Sequence, residues 1–286
     1  MGPNMKLIFH GDDFGLTPGI NQGIIRAFKE GLLTSTSLIA GGEAAEEAIS
    51  LAKENPGLDM GIHLVLCDEK PVLPAEDISS ITSGRPHFPS RNHLQRALFA
   101  RKIDYREVEA EWNAQIEMVL KAKIPITHMD GHQFIHLFPG LLPICLKIAR
   151  KHKIPFVRVS SDDPATFEAG FMRVIQWIYL KLWIKIFVSR SIPSHVRILS
   201  SVGFLAAGGR LNRGTLLKNI DTLRHRKASP LVEFILHPGI GDGYTAHKYN
   251  HWRYDWKKDL DLLTDSSLKR ALELRGVELT SFGKEL

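Results

Sequence analysis

Short apolar runs take turns with stretches of helical periodicity along this chain, and that alternation constrains the fold more than any other feature. Residues 6–10 (KLIFH) form a short apolar run closed by Gly11, the pattern of a buried strand. Residues 18–31 then carry Ile20, Ile24, Ala27 and Phe28 at helical spacing, with Thr17 placed to cap the helix and Pro18 at its first position. Residues 38–40 read as a second strand, 43–54 as a second helix and 60–66 as a third strand. A β-α-β-α-β order needs helical crossovers and therefore a parallel sheet, so the fold class is α/β. The pattern continues with a helix over 105–122, a strand over 126–129, a helix over 141–152, and strands over 156–159 and 231–236.

With 286 residues, 44% of them hydrophobic, the chain can bury a large core. A single domain over 1–286 is expected, because α/β barrels reach roughly 250 residues as one unit. Residues 1–4 read as a flexible leader. Two segments stand apart from the alternation. Residues 67–92 hold Pro71, Pro74, Pro86 and Pro89 and read as an irregular, lid-like loop. Residues 171–188 are apolar, with Trp177, Tyr179, Trp183 and Phe187, yet Arg173, Lys181 and Lys185 interrupt them too often for a membrane span. They read as an apolar helical insertion, either a core helix or a hydrophobic surface making peripheral membrane contact near the site mouth.

The net charge of +6 is scattered, apart from Arg96, Arg101, Lys102 and Arg106 and the stretch 224–227. No basic stripe interleaved with aromatics is present, so no nucleic-acid partner is expected. Cys67 and Cys145 lie in apolar runs and read as buried free thiols, which suits a reducing compartment. With no signal-peptide pattern at the start, a cytoplasmic location is expected.

Chemistry-bearing residues collect at the strand ends. Gly11-Asp12-Asp13-Phe14-Gly15 follows the first strand. Asp and Gly are ordinary turn residues, but two carboxylates there can also divide metal binding from proton transfer. His63 lies inside an apolar strand, where imidazole must find a partner or a metal. The segment from His128 to His136 (HMDGHQFIH) packs three histidines and Asp130 into nine residues, a density that favours a divalent-metal site, with Asp130 able to orient a ligand. Glu233 and His237 flank the end of the late strand LVEFILHPG. Four strand ends bearing Asp or His make one convergent site the economical reading. Two histidines and a carboxylate form a common catalytic zinc set with a position open for water. No HExxH, phosphate-binding loop or nucleophile-elbow motif occurs.

These residues resemble the YdjC-like carbohydrate deacetylases. The likeness runs through DDFG, LLTSTSLIAGG, GIHLVL, THMDGHQFIHLFP and VEFILHPG in order along almost the whole chain. It implies a distorted TIM-like β/α barrel and divalent-metal removal of acetyl groups from N-acetylated amino sugars. It implies Asp13, His63 and His132 as metal ligands, Asp12 as general base and His237 as general acid. Asp130, His136, Arg158 and Glu233 are left to contact substrate or to orient the ligands. The ion is expected to be zinc or magnesium, with other transition metals open. A narrower likeness, through GIHLVLCDEKPVLPAEDISSI, LQRALFARKI and SVGFLAAGGRL, is to the hopanoid-biosynthesis-associated branch, which implies a glycolipid substrate. The competing readings are a soluble chitooligosaccharide-type deacetylase, a metal phosphoesterase and a noncatalytic sugar- or lipid-binding barrel. A homo-oligomer is left open.

Overall fold

The computed structural model describes residues 5–160, 196–203, 211–225 and 231–286, together with Val174, Ile175, Ile178 and Leu182. Its strands are β1 (Met5–Phe14), β2 (Ser35–Leu38), β3 (Asp59–Leu64), β4 (His128–Gly131), β5 (Phe156–Ser160), β6 (Arg197–Val202), β7 (Leu231–Leu236) and β8 (Val277–Leu279). All pair in parallel in the order β2-β3-β4-β5-β6-β7-β1-β8, and an additional β1–β2 pairing nearly closes the sheet. β8 pairs with the first residues of β1 and β2 with its last, so β8 fills the gap between them at the N-terminal end. The result is a TIM-like β/α barrel.

Helices α1 (Pro18–Glu30), α2 (Ala45–Glu54), α5 (Tyr105–Lys121), α6 (Leu141–Lys151) and α7 (Arg213–His225) form crossovers between strands. Thr17 caps α1 by accepting from the Ile20 backbone N–H, as its position before Pro18 predicts. Ile20, Ile24 and Ala27 bury the face of α1 that meets the barrel. After β7 come α8 (Gly243–Lys248), α9 (Trp256–Leu263) and α10 (Ser266–Glu273).

Residues two apart on a strand share a face. The inward faces form layers. Ile8, Phe156, Leu199 and Phe282 make an apolar plug at the N-terminal end. Above it, the His128 ring stacks on Phe282 at 3.9 Å and meets His10 edge-on at 4.9 Å. A Cβ at Gly61 would collide with His128 Nε2, so glycine is what lets this imidazole enter the barrel. Higher still come the charged groups of the site.

Several strand readings need correcting. β1 runs to Phe14 rather than ending at His10, so the aspartate pair belongs to the strand. β2 spans Ser35–Leu38 rather than 38–40: its serines and threonine are buried beside β1 and β3, so polar residues occupy a position that an apolar pattern does not reveal. β4 starts at His128 rather than residue 126. The stretch 67–92 is irregular except for α3 (Ser79–Thr82) and the first two residues of α4 (Arg91–Phe99). The reading of 171–188 lies outside the described residues, apart from Val174, Ile175, Ile178 and Leu182. Those four are helical, and Ile175, Ile178 and Leu182 are exposed.

Candidate active site

The site lies at the C-terminal end of the barrel and begins with a break in β1. Consecutive side chains on a regular strand point to opposite faces, so Asp12 and Asp13 could not both face the barrel mouth. The β1–β2 register shifts between Gly11 and Phe14, and Asp13 takes a left-handed conformation at φ 70°. This bulge turns both carboxylates toward one space.

Asp13, His63 and His132 each present a donor atom there, all within 4.8 Å of one another. Asp13 Oδ1 lies 3.1 Å from His132 Nδ1 and 3.4 Å from His63 Nε2. His63 is held from behind: its Nδ1 is 2.8 Å from Asp130 Oδ1 and 3.1 Å from Ser37 Oγ. Ser37 also donates to Asp130 Oδ2 at 2.9 Å. Burial opposes charge on His63, but Asp130, Asp12 and the Asp13 hydrogen bond outweigh it and raise its pKa to about 10. Burial also opposes the Asp13 carboxylate, yet hydrogen bonds from His132 and His63 hold its pKa well below the usual range.

Arg158 on β5 is the hub of a second layer. Its Nη1 donates to Asp12 Oδ2 at 2.9 Å, and its Nε and Nη2 clamp Glu233 at 2.6–3.1 Å. Nη2 also lies 2.7 Å from Asp130 Oδ2 and, off the hydrogen-bonding direction, 2.8 Å from Asp12 Oδ1. Burial opposes the Asp12 carboxylate, but Arg158 and His10 keep its pKa well below the usual range. The pKa of Glu233 is raised by burial against the pull of Arg158. His10, absent from the sequence reading, bridges these groups: Nε2 is 3.2 Å from Asp12 Oδ1 and 3.1 Å from Ser37 Oγ. It lies two residues before Asp12, so strand periodicity alone points to it.

His237 follows β7 and sets Nε2 3.9 Å from Asp12 Oδ2. Its backbone N–H donates to Asp259 Oδ2 on α9 at 2.8 Å. The turn is tightly built: a Cβ at Gly239 would come within 2.9 Å of Trp256 Cβ, and one at Gly23 would strike Gly239. His136 is buried away from the three donors, with Nε2 donating to the Arg158 carbonyl at 3.0 Å. Burial lowers its pKa to about 4, so the ring is neutral. Aromatic rings wall the site. Trp252 lies 5.0 Å from the His132 ring, Tyr254 4.8 Å from His237, and Tyr249 stacks on Trp252 at 4.3 Å. Tyr249 also donates to the buried Glu69 carboxylate at 2.9 Å, tying this wall to the 67–92 segment. Nothing in the sequence pattern marks Asp259 or this wall.

The donor chemistry fits a divalent ion. Two imidazoles and one carboxylate converge, as in catalytic zinc sites. Asp12, Asp130 and Glu233 are buried around the guanidinium of Arg158, and Asp13 is buried beside His63 and His132, an excess of carboxylates. The proton that His63 acquires among these carboxylates sits where a cation would neutralise the same charge.

Comparison with known proteins agrees with this architecture. A Brevibacillus brevis strain 47 protein named carbohydrate deacetylase is 31% identical over 285 residues, covering 98% of this chain and 99% of its own. A Listeria monocytogenes serotype 4b protein of the same name is 33% identical over 278 residues, covering 97% and 99%. A solved structure from Enterococcus faecalis V583, provisionally described as a cellobiose-phosphate cleavage protein, superposes with a TM-score of 0.77 at 26% identity, covering 98% of both chains. The YdjC-like protein family profile matches residues 6–274, and the chain belongs to that family.

Proposed function

We propose that this protein is a divalent-metal-dependent hydrolase that removes the acetyl group from an N-acetylated amino sugar. The observation that carries the reading is the meeting of Asp13, His63 and His132 within 4.8 Å, beside an Asp12 carboxylate that takes no part in that donor set. The carbohydrate deacetylase names of full-length relatives supply the reaction class.

Asp13, His63 and His132 would hold the ion, and Asp130 with Ser37 fixes the His63 ring so that Nε2 faces inward. When bound, zinc or magnesium polarises the acetyl carbonyl and acidifies a water. Asp12 is the general base that takes the water's proton. Its low pKa, set by Arg158 and His10, keeps it ionised at neutral pH. His237 then protonates the departing amine from Nε2. Burial outweighs the pull of the neighbouring Asp12 and Asp13 carboxylates and lowers the His237 pKa, so the ring rests neutral and the proton it delivers is the one Asp12 took from the water, passed on to Nε2. The aromatic wall of Trp252 and Tyr254 offers the apolar faces on which a sugar ring stacks.

The test is acetate release from a panel of soluble N-acetyl sugars and an N-acetylglucosaminyl hopanoid, with EDTA and metal add-back. Acetate release abolished by EDTA and restored by zinc or magnesium is expected. The glycolipid arm decides the narrower hopanoid substrate and its accompanying membrane contact. Folded, metal-loaded protein that releases no acetate from any of them overturns the reading. Among the described residues no helix is long and apolar enough to cross a membrane.

A further inference from the structure

Two buried polar atoms beside the site have no hydrogen-bond partner, and they belong to neighbouring side chains. His237 Nδ1 is one, and Asp259 Oδ1 is the other. The Asp259 carboxylate lies close to that ring: its Oδ2 is 4.0 Å from His237 Nδ1 and accepts the His237 backbone N–H at 2.8 Å. Unpartnered polar atoms are costly in a buried site, and each of these supplies what the other lacks, a ring nitrogen that can donate and a carboxylate oxygen that can accept. The backbone hydrogen bond already fixes where the carboxylate stands relative to the ring. The close packing of Gly239 on Trp256 ties the His237 turn to the helix that carries Asp259.

We propose that Asp259 is a positioning residue for His237. It takes a hydrogen bond from Nδ1–H and so fixes the tautomer in which Nε2 is the nitrogen free to exchange a proton beside Asp12. Its hydrogen bond and close charge contact here are with His237, so it acts through that ring. Burial raises its own pKa to about 7, against the opposing His237 backbone N–H, with a further contribution from Asp255. The ring it orients faces Asp12, Asp13, His63 and Arg158, and Tyr254 packs against it. The 22 residues that separate Asp259 from His237 in sequence hide the pairing; only the return of α9 onto β7 creates it.

The inference rests on the hydrolase reading for His237's task but not for its tautomer, so the experiment has two arms. Nitrogen-15 NMR of histidine-labelled, metal-loaded protein at pH 8, assigned with His237→Ala, reads the tautomer without substrate. The native ring is expected to carry its proton on Nδ1. In Asp259→Asn the amide NH2 faces Nδ1 as a donor and is expected to move the proton to Nε2. Asp259→Glu, which keeps the carboxylate, restores the native pattern. In acetate release from an N-acetylglucosamine disaccharide, Asp259→Asn is expected to lower kcat about a hundredfold with KM within about twofold. The same substitution made on top of His237→Ala is expected to cost nothing more. A native ring protonated on Nε2 overturns the proposal, and this reading stands even where Asp259→Asn does not fold. An Asp259→Asn loss that persists in the His237→Ala background overturns it as well. A native Nδ1–H ring in a protein that releases no acetate supports the pairing while sinking the deacetylase reading.

Discussion

Asp12 and Asp13 share a peptide bond but meet different surroundings, which suits them to the different tasks proposed for them. Asp13 meets two imidazoles, whereas Asp12 meets a guanidinium and His10. Asp12→Asn is nearly isosteric, and its side-chain carbonyl can still accept from Arg158. It is expected to retain the metal, measured by atomic absorption, while turnover drops roughly 10²- to 10⁴-fold. Near-native turnover with metal retained would place the base elsewhere. His132→Ala removes one of three donors and is expected to leave the purified protein with little metal. Full occupancy in that variant would take His132 out of the ligand set. Most of this cluster was readable because the site residues sit in or just beyond short apolar strands, where a charge needs a reason. The bulge was not readable: adjacent aspartates say nothing about which one the backbone will turn, and only the left-handed φ of Asp13 shows how both reach one space.

The elements that came through most clearly in the sequence were those with an unmixed signal. β7 has the expected bounds because LVEFIL is a continuous apolar run apart from Glu233, and α1 starts where Thr17 and Pro18 place it. β2 starts three residues and ends two residues before the bounds expected from sequence, because Ser35 and Ser37 point into the barrel, where they bond His10, His63 and Asp130. A strand whose inward face serves a polar site loses the apolar pattern that normally announces it. β6 and β8 lie outside the expected strands: three residues of β8 suffice because they need only fill the gap beside Met5–Leu7. β3 carries an element-scale prediction. Gly61 gives the His128 ring its room, and that ring is held between Phe282 and His10. Gly61→Ala is therefore expected to destabilise the fold by roughly 1–3 kcal/mol through overpacking. Urea unfolding measures it, and a midpoint unchanged from the native protein would mean that the ring can move.

Across the whole molecule, the buried charge makes stability depend on pH differently with and without metal. Asp12, Asp13 and Asp130 all titrate below the ordinary carboxylate range, so their stabilisation is present above about pH 4 and is lost as pH falls through their folded values. His63 has the opposite sign. Its pKa rises from 6.5 to about 10, so in metal-free protein the contribution is complete below pH 6.5 and disappears as pH climbs toward 10. A divalent ion held by Asp13, His63 and His132, as proposed, would replace that proton, and its binding would strengthen as competition from the proton fades. In EDTA the melting temperature is expected to fall by several degrees between pH 6.5 and 10. In saturating zinc or magnesium it falls less, so the gap between the two curves widens with pH. The gap is the diagnostic quantity because the buried thiol of Cys145, held protonated by burial, adds its alkaline loss to both curves. A gap that stays constant across the window would mean that metal binding displaces no proton from His63, and the imidazole would then lie outside the set that holds the ion.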